Sequence, residues 1–399
     1  MKVLVLIALL APALAYAQET PPPAPAPLVI ASGSAGKNYV NLSLDGLFAV
    51  GASTEPDVPG LETGGHDPAQ RGFTVQNVEL VLDGAVDPYF KGQANVVLQI
   101  TPEGGTIVEL EEVYATTTSL PRNLQVKVGQ YFTEFGRLNP THPHSWDFVD
   151  QPLVSGRMFG GDGLRSVGAR LSWLMPTPFY SELLIGVENA SGETMTSFGS
   201  VSGETQFGRP LDPEVVKTLG DLLYVPRWNG SFDLGDTQTL VVGASGAFGP
   251  NATGAGADTE IGGIDLFWKW KSARADKGFP FVKVQAEVMA RSYEAAATPL
   301  LPADTYHDHG AYAQVVWGIQ PMWTVGARYD RVGGDVGSDP LDPRFQPRQR
   351  AALEGTWYPT EYSKLRLQYA YDDRTGFPDA NSVWLQVEFL LGAHAAHKF

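Results

Sequence analysis

The chain has seven histidines, and six fall in close pairs: His142/His144, His307/His309 and His394/His397. Two imidazoles at i,i+2 on an extended segment face the same way, which suits Zn or Cu. Asp147 or Asp308 would add a carboxylate to such a pair. The bland role is a solvated pair in a polar loop, which leaves Zn at His142 and His144 as the metal candidate and no other cofactor. Nucleophilic chemistry is poorly supported. A G-x-S-x-G elbow, a Walker loop and an H-E-x-x-H helix are all missing. Gly243-Ala244-Ser245-Gly246-Ala247 has the outline of a serine elbow, but it sits inside a strand pattern with no helix after it. Zero cysteine removes disulfides, thiolate zinc sites, iron–sulfur clusters and thiol nucleophiles. With 28 Lys+Arg against 44 Asp+Glu, the net charge of -16 argues against a nucleic-acid partner, which needs basic patches. The residues do not read as an enzyme.

The elements that position these groups begin with an export signal. Met1-Lys2 is a basic start, Val3 to Leu14 is apolar, and Ala15-Tyr16-Ala17 is a small-x-small cleavage pattern, so residues 1–17 are expected to be removed. Residues 18–38 hold Pro21-Pro22-Pro23-Ala24-Pro25-Ala26-Pro27 and are expected to form an extended periplasmic spacer. After it, no run of 18 apolar residues occurs, so a transmembrane helix is not expected.

Residues 39–399 are read as one all-β unit. Leu365, Leu367, Tyr369 and Tyr371 alternate with Lys364, Arg366 and Gln368, and Val383, Leu385, Val387 and Phe389 alternate with Gln386 and Glu388. Period two puts each set on one side of a pleated sheet. Sixteen such segments are expected, at 39–50, 73–86, 89–100, 107–118, 124–131, 165–175, 179–189, 223–234, 237–248, 259–271, 279–292, 309–320, 322–331, 347–358, 361–372 and 381–392. Connections after even-numbered segments are short, for example Asp87-Pro88, Gly235-Asp236 and Pro359-Thr360. Those after odd-numbered segments are mostly long: 51–72, 132–164, 190–221, 293–308 and 332–346. A soluble sandwich has no reason to sort its loops this way. A transmembrane antiparallel up-and-down β-barrel of sixteen strands does, with tight turns on one side and long loops on the other.

Parity assigns a water-facing wall of Lys127, Arg170, Asp265, Lys269, Lys283, Glu287, Arg328, Arg350, Glu354, Lys364, Arg366 and Glu388, each opposite an apolar set. A charge on the lipid side at mid-membrane would cost roughly 2–4 kcal/mol. Trp268, Trp270, Tyr312, Trp317, Trp323, Trp357, Tyr358, Tyr362 and Tyr369 lie near strand ends, where an interfacial girdle would put them.

Signal, alternation, sorted loops and terminal Phe399 together resemble the bacterial outer-membrane porins. The segment Gly136 to Arg165 is similar to one in porin-like proteins labelled zinc-regulated outer-membrane receptors and grouped near the phosphate-selective porins. The resemblance implies the outer membrane of a Gram-negative bacterium and a diffusion channel for small hydrophilic solutes or ions. Its implied partners are outer-membrane lipids, the barrel assembly machinery and the chain's own copies in a homotrimer. It also implies that the long loop after the fifth strand folds into the lumen as a constriction, offering Glu134, Arg137, His142, His144, Asp147, Asp150, Arg157 and Asp162. The other arrangement is a cap over the mouth. The alternatives in function are a zinc-related receptor and an anion-specialised porin. A receptor driven by TonB needs about 22 strands and a plug, for which this chain is too short.

Overall fold

The computed structural model describes residues 29–32, 39–85, 87–213, 215–335 and 346–392. The signal segment, most of the spacer, the His394/His397 pair and Phe399 lie outside them. Val29–Ser32 is the exception in the spacer: it pairs antiparallel with the start of the first barrel strand.

Sixteen antiparallel strands close into a barrel. They are β1 Tyr39–Ser53, β2 Gly72–Ala85, β3 Phe90–Ile100, β4 Thr106–Thr117, β5 Leu124–Phe132, β6 Arg165–Leu174, β7 Tyr180–Asn189 and β8 Leu222–Asp233. The remainder are β9 Gln238–Pro250, β10 Asp258–Asp276, β11 Phe279–Ala295, β12 Asp304–Gln320, β13 Trp323–Asp335, β14 Arg348–Thr360, β15 Ser363–Arg374 and β16 Ala380–Gly392. Each strand pairs with the next in sequence. The seam is closed by β16 on β1, from Ser382 opposite Ser53 to Gly392 opposite Ser43. Closure removes the sheet edges that would leave backbone donors unpaired in a membrane.

Local chemistry fixes the turns. Asp87 accepts hydrogen bonds from the backbone N–H groups of Tyr89 and Phe90 at 2.7 and 2.9 Å, an Asx turn between β2 and β3. Lys277 and Gly278 both have positive φ, 47° and 93°, as a two-residue hairpin loop requires. One expected loop is shorter than its sequence suggests. The β11–β12 ladder continues to Ala295 opposite Asp304, so strand structure reaches well into 293–308. Tyr293 and Tyr306 face each other there and pack inward with Phe207, which repays the extension.

The outer face is apolar: Leu82, Val128, Leu171, Ile264, Val288, Val315, Leu353, Leu367 and Leu391 are all exposed. A belt of this extent calls for a non-aqueous partner. Two of the aromatics expected in the girdle do not join it. Tyr312 and Tyr358 are buried on the inner face, because they share parity with Gln314 and Glu354.

The core lies inside the barrel, toward the long loops. Helix α1, Leu153–Phe159, and the loop 190–221 meet inward wall residues there in one apolar cluster of Phe135, Leu153, Val154, Met158, Phe159, Met195, Phe198, Ile261, Met289, Tyr312 and Val332. Two wall glycines make room for it. A Cβ on Gly310 would lie 2.8 Å from Val154, and one on Gly263 would lie 2.8 Å from Phe135.

Candidate functional site

Residues 133–164, between β5 and β6, contact inward-facing residues of strands all round the wall. Glu134 pairs with Lys127 at 3.0 Å and Arg170 at 2.9 Å, close to where the loop leaves β5. The backbone N–H groups of Arg137 and Leu138 donate to Glu287, and the Arg137 guanidinium stacks 3.9 Å over Phe267. Asp147 accepts from Lys283 at 2.5 Å and Gln314 at 3.0 Å. The backbone carbonyl of Phe148 accepts from Arg366, and that of His144 from Lys364.

Asp150 is the strongest single anchor. Its carboxylate accepts from Arg328 at 2.9 Å, Arg350 at 2.9 Å and Gln368 at 2.7 Å, joining β13, β14 and β15 to the loop. Burial alone would raise its pKa, but the Arg328 and Arg350 guanidiniums outweigh that and hold it below the usual carboxylate range. Arg328 and Arg350 each keep a second carboxylate, Asp330 and Asp372.

The predicted wall residues all have partners inside the barrel or among one another. Arg227 clamps Asp265 at 2.6 Å, Lys269 lies over the Phe281 ring, and Glu354 accepts from Thr356. Lys364 pairs with Glu388. The eight loop residues do not form one ring. Glu134, Arg137, His142 and Asp147 are half-buried, while Asp150 and Arg157 are buried behind the loop. Arg157 reaches Glu62 at 2.9 Å, beside a cavity of about 310 Å³ between the long loops. Asp162 lies apart, with its carboxylate against Gly65.

The histidine pairs divide. His142 and His144 stack at 5.7 Å with their rings 13° from parallel. Asp147 adds no carboxylate to them, being engaged by Lys283 and Gln314. The carboxylates come from the wall instead: Asp45 on β1, Glu79 on β2, and Glu111 and Glu112 on β4. His142 Nε2 is 2.9 Å from Glu112, and its Nδ1 lies 3.3 Å from Glu79 and 3.0 Å from Glu111. His144 Nδ1 lies 3.1 Å from Asp45 and 3.3 Å from Glu79. Burial alone would depress His144, but the Asp45 and Glu79 carboxylates beside it push it up to about 9. His307 and His309 are exposed on the outer face, whereas Asp308 points inward to Arg291 at 2.6 Å. Strand parity therefore rules out the grouping expected for that pair.

Alternation could have placed Asp45 and Glu79 on the inner face, but not Glu111 and Glu112 together. A β-bulge lies between β3 and β4 where Asn95 faces Glu112 and Val96 faces Leu110, so the consecutive Glu111 and Glu112 are both buried inside. A second bulge, at Leu47/Phe48 opposite β2, likewise buries both Gln76 and Asn77. The acidic run Glu109, Glu111, Glu112 within one strand was the available signal.

Below the loop, toward the short turns, a polar cavity of about 400 Å³ is lined by Asp83, Lys91, Gln93, Tyr114, Lys127 and Arg170. Across the same end, Lys269 and Lys283 are directly opposite in the β10–β11 ladder.

No family model matches the chain. A protein of Aquifex aeolicus, described as an uncharacterized protein, is 34% identical over 376 residues, covering 86% of this chain and 75% of that one. Among solved structures, the outer membrane channel DcaP of Acinetobacter baumannii superposes with a TM-score of 0.58 at 15% identity, over 90% of this chain and 100% of that one. The anion-selective porin of Comamonas acidovorans gives 0.53 at 10% identity, over 89% and 100%. The trimer form of OmpT from Vibrio cholerae gives 0.51 at 9% identity, over 89% and 99%.

Proposed function

The chain belongs to the family of the Aquifex aeolicus protein and has the closed sixteen-stranded barrel of outer-membrane porins, and from that premise we propose that it is a passive channel in the outer membrane of a Gram-negative bacterium. Residues 1–17 direct export, lipid covers the apolar belt, and small hydrophilic solutes cross the interior without covalent chemistry. A homotrimer is the assembly, as in the trimer form of the outer membrane protein OmpT among its structural neighbours. The observation that carries this reading is a barrel apolar outside and lined within by charged side chains that hold the loop 133–164.

The constriction is the half-buried edge of that loop, where Glu134 meets Lys127 and Arg170, Asp147 meets Lys283, Arg137 lies over Phe267 and His142 stands against the carboxylates of β2 and β4. Opposed charges across a narrow gap of low dielectric favour polar solutes over apolar ones. Lysine predominates at the turn end, which favours anions. Planar-bilayer recording on the purified protein tests the channel: stepwise conductance is expected, and its absence refutes it. Reversal potentials in a salt gradient test the anion preference.

A second reading is favoured by the apolar cluster around α1: the barrel rests closed and conducts when the loop is released. Deleting residues 142–160 then raises conductance from near zero. An unchanged closed barrel would mean that no path exists.

A further inference from the structure

The cluster of His142, His144, Asp45, Glu79 and Glu111 joins the loop to β1, β2 and β4, yet its geometry is not that of ordinary ion pairs. His142 Nδ1, Glu79 Oε2 and Glu111 Oε2 are buried, and none makes a hydrogen bond of acceptable direction although the gaps are only 3.0–3.3 Å. Glu79 and Glu111 are both fully buried. Donor atoms this close, aimed past one another, converge on a common point.

Two such points exist. Glu79, Glu111 and His142 each offer one atom to the first, and Asp45, Glu79 and His144 each offer one to the second. Donors bound to zinc at about 2.0–2.2 Å lie about 3.4 Å apart in a tetrahedral array, and the Nδ1–carboxylate gaps of 3.0–3.3 Å fit that spacing. Glu79 is nearest His142 through Oε1 and nearest His144 through Oε2, the arrangement of a carboxylate that bridges two ions.

The surrounding residues are those a metal site needs. His142 Nε2 is held by Glu112 and approached by Asn95, and Asn95 also donates to Glu79 Oε1. His66 from the loop 54–71 fixes Glu111 through its other oxygen at 3.1 Å. Such outer contacts orient ligands and set their basicity. Imidazole with carboxylate, in the absence of thiolate, suits divalent ions of the zinc class.

We propose that this cluster binds two divalent transition-metal ions of the zinc class, bridged by Glu79, which cross-link the loop 133–164 to β1, β2 and β4. Four carboxylates against three imidazoles supply the charge complement. Three protein donors at each ion leave a position for water.

Isothermal titration of chelator-treated full-length protein in detergent with zinc sulfate tests this, with far-UV circular dichroism and heat-modifiable gel mobility confirming a folded barrel. Two ions per chain are expected for the wild type, one each for His142→Ala and His144→Ala, and none for Glu79→Gln. His307→Ala/His309→Ala should retain two. If Glu79→Gln fails to fold, the two histidine variants still decide the matter. Cobalt absorption gives a second readout of nitrogen and oxygen ligation. No binding to folded wild type, meaning that protons alone occupy the cluster, overturns the proposal. Two ions retained in His142→Ala and His144→Ala overturn it as well, and a single ion in the wild type overturns the bridged pair. The titration reads binding alone, so a barrel that fails to conduct leaves it standing.

Discussion

Replacing Asp150 by alanine isolates the loop's attachment from everything else in the barrel. The carboxylate meets two buried guanidiniums and one amide, from three neighbouring strands. Removing one member of a buried ion pair costs about 3–5 kcal/mol, because the charge left behind is uncompensated. Arg328 and Arg350 retain Asp330 and Asp372, each at 2.8 Å, so the lower end applies, about 3 kcal/mol. At 1.4 kcal/mol per tenfold, the ratio of seated to unseated loop falls about a hundredfold. The strands themselves keep their ladder bonds, so the barrel should still fold. Single-channel recording is the assay. Asp150→Ala should show larger or noisier conductance than wild type, and protease should cut residues 133–164 faster. Asp150→Asn keeps part of the hydrogen bonding and should fall between the two. Conductance, noise and cleavage rate all equal to wild type would refute the idea that this carboxylate holds the loop.

Other perturbations follow the same reasoning. Asp67, buried in the loop 54–71, is pushed up to about 7, first by burial and then by the nearby charge of Asp150. Its folded pKa lies above the unfolded 3.8, so its contribution is fully present below about 4 and lost as pH rises through about 7. Asp67→Asn should flatten that slope in a pH series of thermal midpoints. Gly310→Val places side-chain atoms where Val154 and Val332 already pack and should destabilise the seated helix by about 1–3 kcal/mol, read as a lower unfolding temperature in detergent. Lys269→Glu/Lys283→Glu inverts the charge of the turn-end interior and should move the reversal potential toward cation preference; an unmoved potential would place the selective step elsewhere.

The barrel was legible because lipid outside and polar groups inside impose period two on every strand, and because the two ends receive loops of different length. Parity was enough to assign Arg328, Arg350, Lys364 and Glu388 to one face. It failed where the pleat itself is broken. The bulge at Glu111/Glu112 buries two consecutive carboxylates, and no alternation rule expects that. His142 and His144 were visible as a pair by spacing, but their partners stand on β1, β2 and β4, brought together only by strand order. The apolar filling around α1 was hidden for a related reason: Ile261, Met289 and Val332 sit on the inner face, where water was expected. They are apolar because loop side chains cover them, and loop placement is set by contacts made far along the chain.

The strut inside the barrel also constrains the order in which the molecule can be made. Its anchors at Asp330, Arg350, Arg366 and Gln368 lie 177 to 219 residues downstream of the atoms they hold. Those four contacts wait for the second half of the wall, while Lys127 and the carboxylates of β1, β2 and β4 can hold the segment earlier. Asp45, which meets His144, stands on β1 at the seam, while Lys364, which meets the same residue's carbonyl, stands on β15, one strand from it. The segment thus bridges the β16–β1 seam, so a wall zipped up with this piece left outside would have to reopen to take it in.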